Sequence, residues 1–219
     1  MQSLPSSSEL KHHLQTWFGS DVGIGISQIS GDYPLFPEEV AYIRNAVAKR
    51  QAEFATGRWC AREALATIGV APQPLPVSPL LAPCWPEGTI GSITHDRDIC
   101  LAIALPAIRH TGVGIDLLHP DQQVGADLAP LIVNAWEQQH ILTLNAHPTT
   151  LRSLFSIKES VVKAISKSVG RFMDLLEITI DLQETEFAAS CNAVAGQIHG
   201  WHVQVAHTLL TAAIFDAVN

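Results

Sequence analysis

Of 219 residues 47% are apolar and only 16% charged, and thirteen Lys and Arg against twenty-one Asp and Glu leave a formal charge of −8. This excludes a disordered chain and a generally basic nucleic-acid binder, and the length fits one large or two small globular domains. The charge is unevenly spread. Residues 44–62 carry Arg44, Lys49, Arg50, Arg58 and Arg62 against Glu53 alone, and residues 152–171 carry Arg152, Lys158, Lys163, Lys167 and Arg171 against Glu159 alone. Each window is +4 in an otherwise acidic chain. Solvated helix faces are one reading; an anionic ligand facing two basic patches is the other.

In chain order, the apolar, β-branched run of residues 22–29 predicts a strand. Pro37 followed by two acidic residues, with Gly69 at the far end, predicts one long helix over about residues 37–68. Six prolines within residues 72–86 predict an extended loop. Strands are expected over 89–95 and 98–105, joined by a short polar turn, and over 111–118. Helical periodicity returns over 126–142 and 150–168, and strands over 175–182 and 201–215 close the chain. Residues 187–215 contain no Asp, Glu, Lys or Arg, but their histidines, glutamines and glycines argue for buried strands against a membrane span. The four cysteines form no CxxC pair and read as free thiols of a cytoplasmic protein. No basic segment followed by an apolar one opens the chain, so no signal peptide is expected. The histidines show no HExxH, and His199 and His202, three apart in an expected strand, face opposite ways, so neither reads as a metal ligand.

The order strand, helix, strands occurs twice. Val22-Gly-Ile-Gly25 matches Val113-Gly-Ile-Asp116 at a shift of 91, and residues 54–62 match 155–163 at a shift of 101. Together these matches put the two basic windows at equivalent places in a duplicated α+β unit, with a boundary near residues 109–112 and a ligand cleft expected where the halves meet.

The residues with chemistry concentrate in the second half. A helix places Glu159 and Lys163 one turn apart on one face, and Asp116 closes a buried strand, a position that commonly marks a site. Two carboxylates drawn together repel unless a cation lies between them, and oxygen ligands beside a phosphate favour Mg²⁺. Lys163 then offers charge to a phosphate oxygen, and Glu159 can take a proton. In the first half Arg58 and Arg62 repeat the one-turn spacing and suit a phosphate monoester. Thr94 and His95, ending a strand beside a turn, are placed to donate to another phosphate.

At these residues the chain resembles the 4′-phosphopantetheinyl transferases. Val-Gly-Ile-Asp116 and Phe-Ser-Ile-Lys158-Glu159-Ser-Val-Val-Lys163 look like the family's two-part signature. Gly57-Arg58-Trp-Cys-Ala-Arg62 and Cys84-Trp85-Pro86-Glu-Gly88-Thr-Ile-Gly-Ser-Ile-Thr94-His95 further resemble the branch typified by enterobactin synthetase component D. The resemblance implies a pseudo-symmetric monomer of two α/β subdomains, residues 1–110 and 111–219, with the active site at their interface. It implies coenzyme A as co-substrate, Mg²⁺ as cofactor, and transfer of the phosphopantetheine arm to a serine of an acyl, aryl or peptidyl carrier protein, releasing adenosine 3′,5′-bisphosphate. Siderophore or other nonribosomal peptide and polyketide synthesis is the expected setting, and fatty-acid carriers are a further possibility. By motif, Asp116 and Glu159 become Mg²⁺ ligands, Glu159 the base, and Lys163 a pyrophosphate contact. Thr94, His95 and Lys158 join the coenzyme-binding set, Arg58 and Arg62 meet the 3′-phosphate, and Trp85, Pro86 and Gly88 lie near the adenine. Residues 112–142 are expected to meet the carrier.

The chain departs from the pattern at Leu118, where the family usually carries a second carboxylate two residues after Asp116. On a strand the two positions share a face. Water completes the metal's coordination in one reading; in the other the chain is a catalytically weakened module binding coenzyme A or a carrier. Leu118→Glu should therefore lower the Mg²⁺ concentration giving half-maximal activity, and an unchanged concentration would count against a metal-facing position.

Overall fold

A computed structural model describes residues 5–122, 124–142 and 148–218. The expected halves 1–110 and 111–219, and the N-terminal reading, extend over residues outside these. The chain divides between Arg109 and His110 into two compact units.

The N-terminal unit begins with α1 (Ser7–Phe18), whose N-cap Ser6 accepts from the Glu9 N–H while Glu9 reaches back to the Ser6 N–H. Strand β1 (Gly23–Gln28) leads to α2 (Pro37–Ile43) and α3 (Ala48–Thr67). The single helix expected over 37–68 is thus two. No Gly or Pro marks the break at 44–47; Gln51 holds it from α3, donating through Nε2 to the carbonyls of Arg44 and Ala46 at 3.3 and 2.8 Å. Strands β2 (Thr89–Asp96) and β3 (Ile99–Pro106) complete an antiparallel sheet ordered β1-β3-β2. Helix α3 covers it, burying Cys60, Ala61, Ala64 and Leu65 against Cys100, Ala102 and Ala104.

The C-terminal unit opens on β4 (Gly112–Leu118). The helix expected over 126–142 is broken into a 3-10 turn at Ala126–Leu128, α4 (Ala129–Ile132), α5 (Ala135–Glu137) and a π turn at Gln138–Leu142. Apolar periodicity survives, but Asn134 restarts the chain by capping the Glu137 N–H. The long helix α6 (Pro148–Val169) follows, then β5 (Ile178–Leu182), β6 (Glu186–Cys191), β7 (Gly196–Val205) and β8 (Thr208–Ala217). They form an antiparallel sheet ordered β4-β8-β7-β6-β5. The strand expected over 201–215 is two strands that turn at Ala206, whose φ is +53°, and β6 falls among the buried strands expected over 187–215. Leu154, Ile157, Val161 and Ile165 of α6 pack into this unit's core with Ile178, Ile180, Ala213 and Phe215. The uncharged segment 187–215 is sheet. Among the described residues no helix is long and apolar enough to cross a membrane.

The same contact joins strand and helix in each unit. A β-carbon on Gly23 or Gly25 would sit 1.9 or 2.0 Å from the carbonyl oxygens of Ala64 and Cys60, and one on Gly112 or Gly114 would sit 1.9 Å from those of Ala164 and Ser160. Only glycine lets the backbones approach this closely. These equivalences set the repeat at a shift of 89 in the strand and 100 in the helix, correcting the shifts of 91 and 101 read from short words. Alternating Gly and β-branched residues match themselves two positions out of register, so the strand word could not fix it. In the corrected register Arg58 pairs with Lys158 and Thr56 with Ser156; Glu159 pairs with Trp59.

Gly114→Ala should cost about 2–3 kcal/mol of stability, because the obstructing atom is backbone and cannot swing away. Urea unfolding measures it; a loss below about 0.5 kcal/mol would contradict the close approach.

Candidate active site

Strand β4 and helix α6 bring Asp116, Glu159 and Lys163 together. Asp116 is 8% exposed and lies directly across from Thr211 of β8. Lys163 Nζ donates to Asp116 Oδ1 at 2.8 Å and to the Ile115 carbonyl at 2.9 Å. Ser156 Oγ donates to Asp116 Oδ2 at 2.8 Å. One turn beyond Ser156, Ser160 Oγ lies 2.5 Å from Thr211 Oγ1, which lies 3.1 Å from Ser156 Oγ. Glu159 is half-buried on α6. Desolvation pushes its pKa above the ordinary value; Lys163 pulls it down, and the Asp116 charge pushes it up again.

Among the described residues no three His, Cys, Asp or Glu side chains gather into a ready-made metal cage. The pair Asp116 and Glu159 supplies hard oxygen donors whose mutual repulsion a cation would relieve, which fits an ion that keeps waters and takes substrate oxygens. Leu118 is closed to solvent and lies across from Leu209.

Lys158 has to be removed from the coenzyme-binding set in which the resemblance placed it. It has no solvent exposure, and its three ammonium protons go to the Ile132 carbonyl at 2.6 Å, Glu137 Oε2 at 2.7 Å and the Leu175 carbonyl at 3.0 Å. Burial lowers its pKa and Glu137 opposes that. Glu137, also fully buried, accepts the N–H groups of Asn134 and Ile180 as well.

The N-terminal unit repeats this arrangement. Glu39 accepts the N–H groups of Phe36 and Leu75, and Arg62 Nη1 donates to both its oxygens at 3.0 Å while Nη2 donates to the Pro34 carbonyl. Arg58 spends Nε on the Leu75 carbonyl at 2.9 Å and lies 3.9 Å from Glu39 Oε1. Its guanidinium stacks over Phe54 at 4.3 Å, and burial above all pushes its pKa down to about 10. Arg58 and Arg62 are 5% and 7% exposed. They stand together as the sequence predicts, but as the frame around a buried carboxylate.

The remaining expected residues lie in this unit. His95, the last residue but one of β2, has Nε2 3.9 Å from Glu53 Oε2, a carboxylate also approached by Lys49 and Arg50 at 3.9 and 3.4 Å. Thr94 beside it is buried. The Trp85 ring crosses Gly91, where a β-carbon would meet it at 2.6 Å. Pro86 accepts from the Thr89 hydroxyl and N–H across a turn containing Gly88. Sequence reading missed Glu39, Glu137, Ser156, Ser160 and Thr211. The capping pattern Asn134-x-x-Glu137 marks a helix start, but no local signal announces that Glu137 receives a lysine.

A family model described as the 4′-phosphopantetheinyl transferase N-terminal domain matches residues 38–105, and one described as the 4′-phosphopantetheinyl transferase superfamily matches residues 112–214. The 4′-phosphopantetheinyl transferase Svp of Streptomyces mobaraensis is 36% identical over 162 residues, covering 73% of this chain and 63% of its own length. Enterobactin synthase component D of Salmonella typhimurium is 38% identical, covering 58% and 53%. The 4′-phosphopantetheinyl transferase PptT of Mycobacterium tuberculosis is 37% identical, covering 58% and 56%. The chain thus spans between 53% and 63% of the length of these curated relatives. A solved holo-ACP-synthase from Plasmodium yoelii is 16% identical with a TM-score of 0.39, over 50% of this chain and 97% of that one.

Lys158→Met should cost about 3–5 kcal/mol, because it strands a buried carboxylate. Adding Glu137→Gln should recover at least half in urea unfolding. A single variant as stable as the parent, or no recovery in the double, would contradict the tether.

Proposed function

Because this chain belongs to the 4′-phosphopantetheinyl transferase superfamily, we propose that it transfers the phosphopantetheine arm of coenzyme A to a serine of an apo carrier protein. The observation that carries this reading is the grouping of Asp116, Glu159 and Lys163 at β4 and α6. In this reaction the carrier serine oxygen forms a bond to the β-phosphorus of coenzyme A. The bond from that phosphorus to the bridging pyrophosphate oxygen breaks, and adenosine 3′,5′-bisphosphate leaves with the electron pair. Glu159 accepts the serine proton, a role that its pKa, raised by desolvation, suits. Lys163 turns its third ammonium proton to a pyrophosphate oxygen, the other two being held by Asp116 and Ile115. Phosphoryl transfer needs positioning and charge neutralisation more than covalent chemistry, and this set supplies both.

Asp116 and Glu159 would hold Mg²⁺, which supplies charge neutralisation at the pyrophosphate. In the N-terminal half, His95 and Thr94 with the Trp85–Pro86–Gly88 turn are the proposed coenzyme contacts. Arg58 keeps its Nη edge for the 3′-phosphate once Nε is spent, whereas Arg62 has both Nη atoms committed inside the unit. Carriers of siderophore or other nonribosomal peptide and polyketide assembly are the proposed partners, and the cytoplasm the proposed location.

Incubation with coenzyme A, Mg²⁺ and an apo carrier domain should add one phosphopantetheine mass to the carrier. A carrier left unmodified while a control transferase modifies it would overturn the proposal, and coenzyme A binding without transfer would instead mark the weakened module that Leu118 suggests. Glu159→Gln should lower kcat by about 10²-fold or more. In the parent, kcat/KM should fall as pH drops through a limb above the ordinary carboxylate value, since the proton acceptor must be ionised.

A further inference from the structure

Outside the family signature's charged residues, three hydroxyls with no solvent exposure, Ser156 and Ser160 of α6 and Thr211 of β8, run to Asp116. Counting protons fixes the direction of this chain. A carboxylate only accepts, so the single proton of Ser156 is committed to Asp116 Oδ2. Thr211 cannot then receive it; its own proton goes to the Ser156 carbonyl at 3.0 Å. Its oxygen is left to accept from Ser160 at 2.5 Å. Thr211 thus links Ser160 to the Ser156 backbone, and the Ser156 hydroxyl, 3.1 Å from Thr211 Oγ1, makes the bond to Asp116.

We infer that this hydroxyl chain sets the orientation of the Asp116 carboxylate, and that Thr211, which belongs to no motif read in the sequence, is a positioning residue for it. Asp116 is contested. Lys163 holds Oδ1 at 2.8 Å, and a carboxylate held by that bond alone would be free to turn about it. Ser156 restrains it by holding Oδ2, and Thr211 holds Ser156 by donating to its carbonyl while itself accepting from Ser160. Thr211 can do so because strand pairing sets it directly across from Asp116 on the same face. With all three hydroxyls shut off from water, nothing replaces a hydroxyl that is removed.

The inference rests on Asp116 being a metal ligand and is tested by metal binding itself. Thr211→Val keeps the side-chain volume and removes the hydroxyl. Titration with Mn²⁺ in the presence of coenzyme A, read by electron paramagnetic resonance, should show its dissociation constant raised about tenfold. kcat at saturating Mg²⁺ should stay within about twofold, a split that loss of packing alone would not produce. Thr211→Ser restores the hydroxyl and should bind Mn²⁺ within about twofold of the parent. Ser160→Ala, which removes only the first member, should give a smaller rise and serves as the second reading if the valine variant folds poorly. Parent-like Mn²⁺ binding by Thr211→Val, or equal weakening in Thr211→Val and Thr211→Ser, would overturn the chain while leaving the transferase reading intact. A parent protein that takes up no Mn²⁺ would overturn both.

Discussion

A lysine ammonium shut off from water holds the C-terminal unit in register. Lys158 ties α6 to the end of α4, to Glu137 and to the turn before β5. Glu137 extends the tie to β5 itself through the Ile180 N–H. A buried ion pair rarely adds net stability over an apolar equivalent, but it tolerates almost no displacement, since a shifted partner leaves a charge unsolvated. Glu159 follows Lys158 directly and Lys163 lies just over one turn beyond it, so the geometry that fixes the buried lysine also fixes the two side chains offered to chemistry. Glu39 with Arg58 and Arg62 plays the same part in the N-terminal unit. The duplication therefore extends past strand and helix to a buried carboxylate and the cations that hold it.

This recurrence changes the meaning of the charge pattern. Read along the chain, residues 44–62 and 152–171 are two +4 windows. In the fold Arg62 meets Glu39, Lys158 meets Glu137, Lys163 meets Asp116 and Arg171 meets Glu177, each partner lying outside its window. Arg152 closes on the carbonyls of Leu118, His119, Pro120 and Gln122, bracing the loop after β4. Much of the basic charge thus serves internal structure. Lys163, partly exposed, both belongs to the fold and is the cation proposed to meet a pyrophosphate oxygen.

Asp116 and Glu159 differ in how they are restrained, and the difference matches the work proposed for them. Asp116 has a donor on each oxygen and is held in one orientation. Glu159 is shaped by its surroundings through desolvation and two opposing charges. A fixed carboxylate suits ion binding, and one whose pKa is raised suits proton transfer. Leu118, two residues after Asp116, is buried and lies across from Leu209.

Much was legible locally. β1 to β4, α6, the proline-rich loop, the strand nature of the uncharged 187–215 segment and the trio Asp116, Glu159 and Lys163 all follow from periodicity, punctuation and motif spacing, which are properties of neighbours in the chain. The break at 44–47, the fragmentation of 126–142, the register of the repeat and the employment of Lys158, Arg58 and Arg62 do not. The two helix breaks turn on the side chains of Gln51 and Asn134, which no Gly or Pro announces, whereas the register and the buried cations depend on partners far along the chain: the carbonyls of Ile132 and Leu175 and the N–H groups of Leu75 and Ile180. Sequence by itself determined which residues carry charge and chemistry and on which elements they ride. Only the tertiary structure decided which of those charges are consumed inside the protein, because a buried charge must be paired, and its partner is chosen by packing between distant segments.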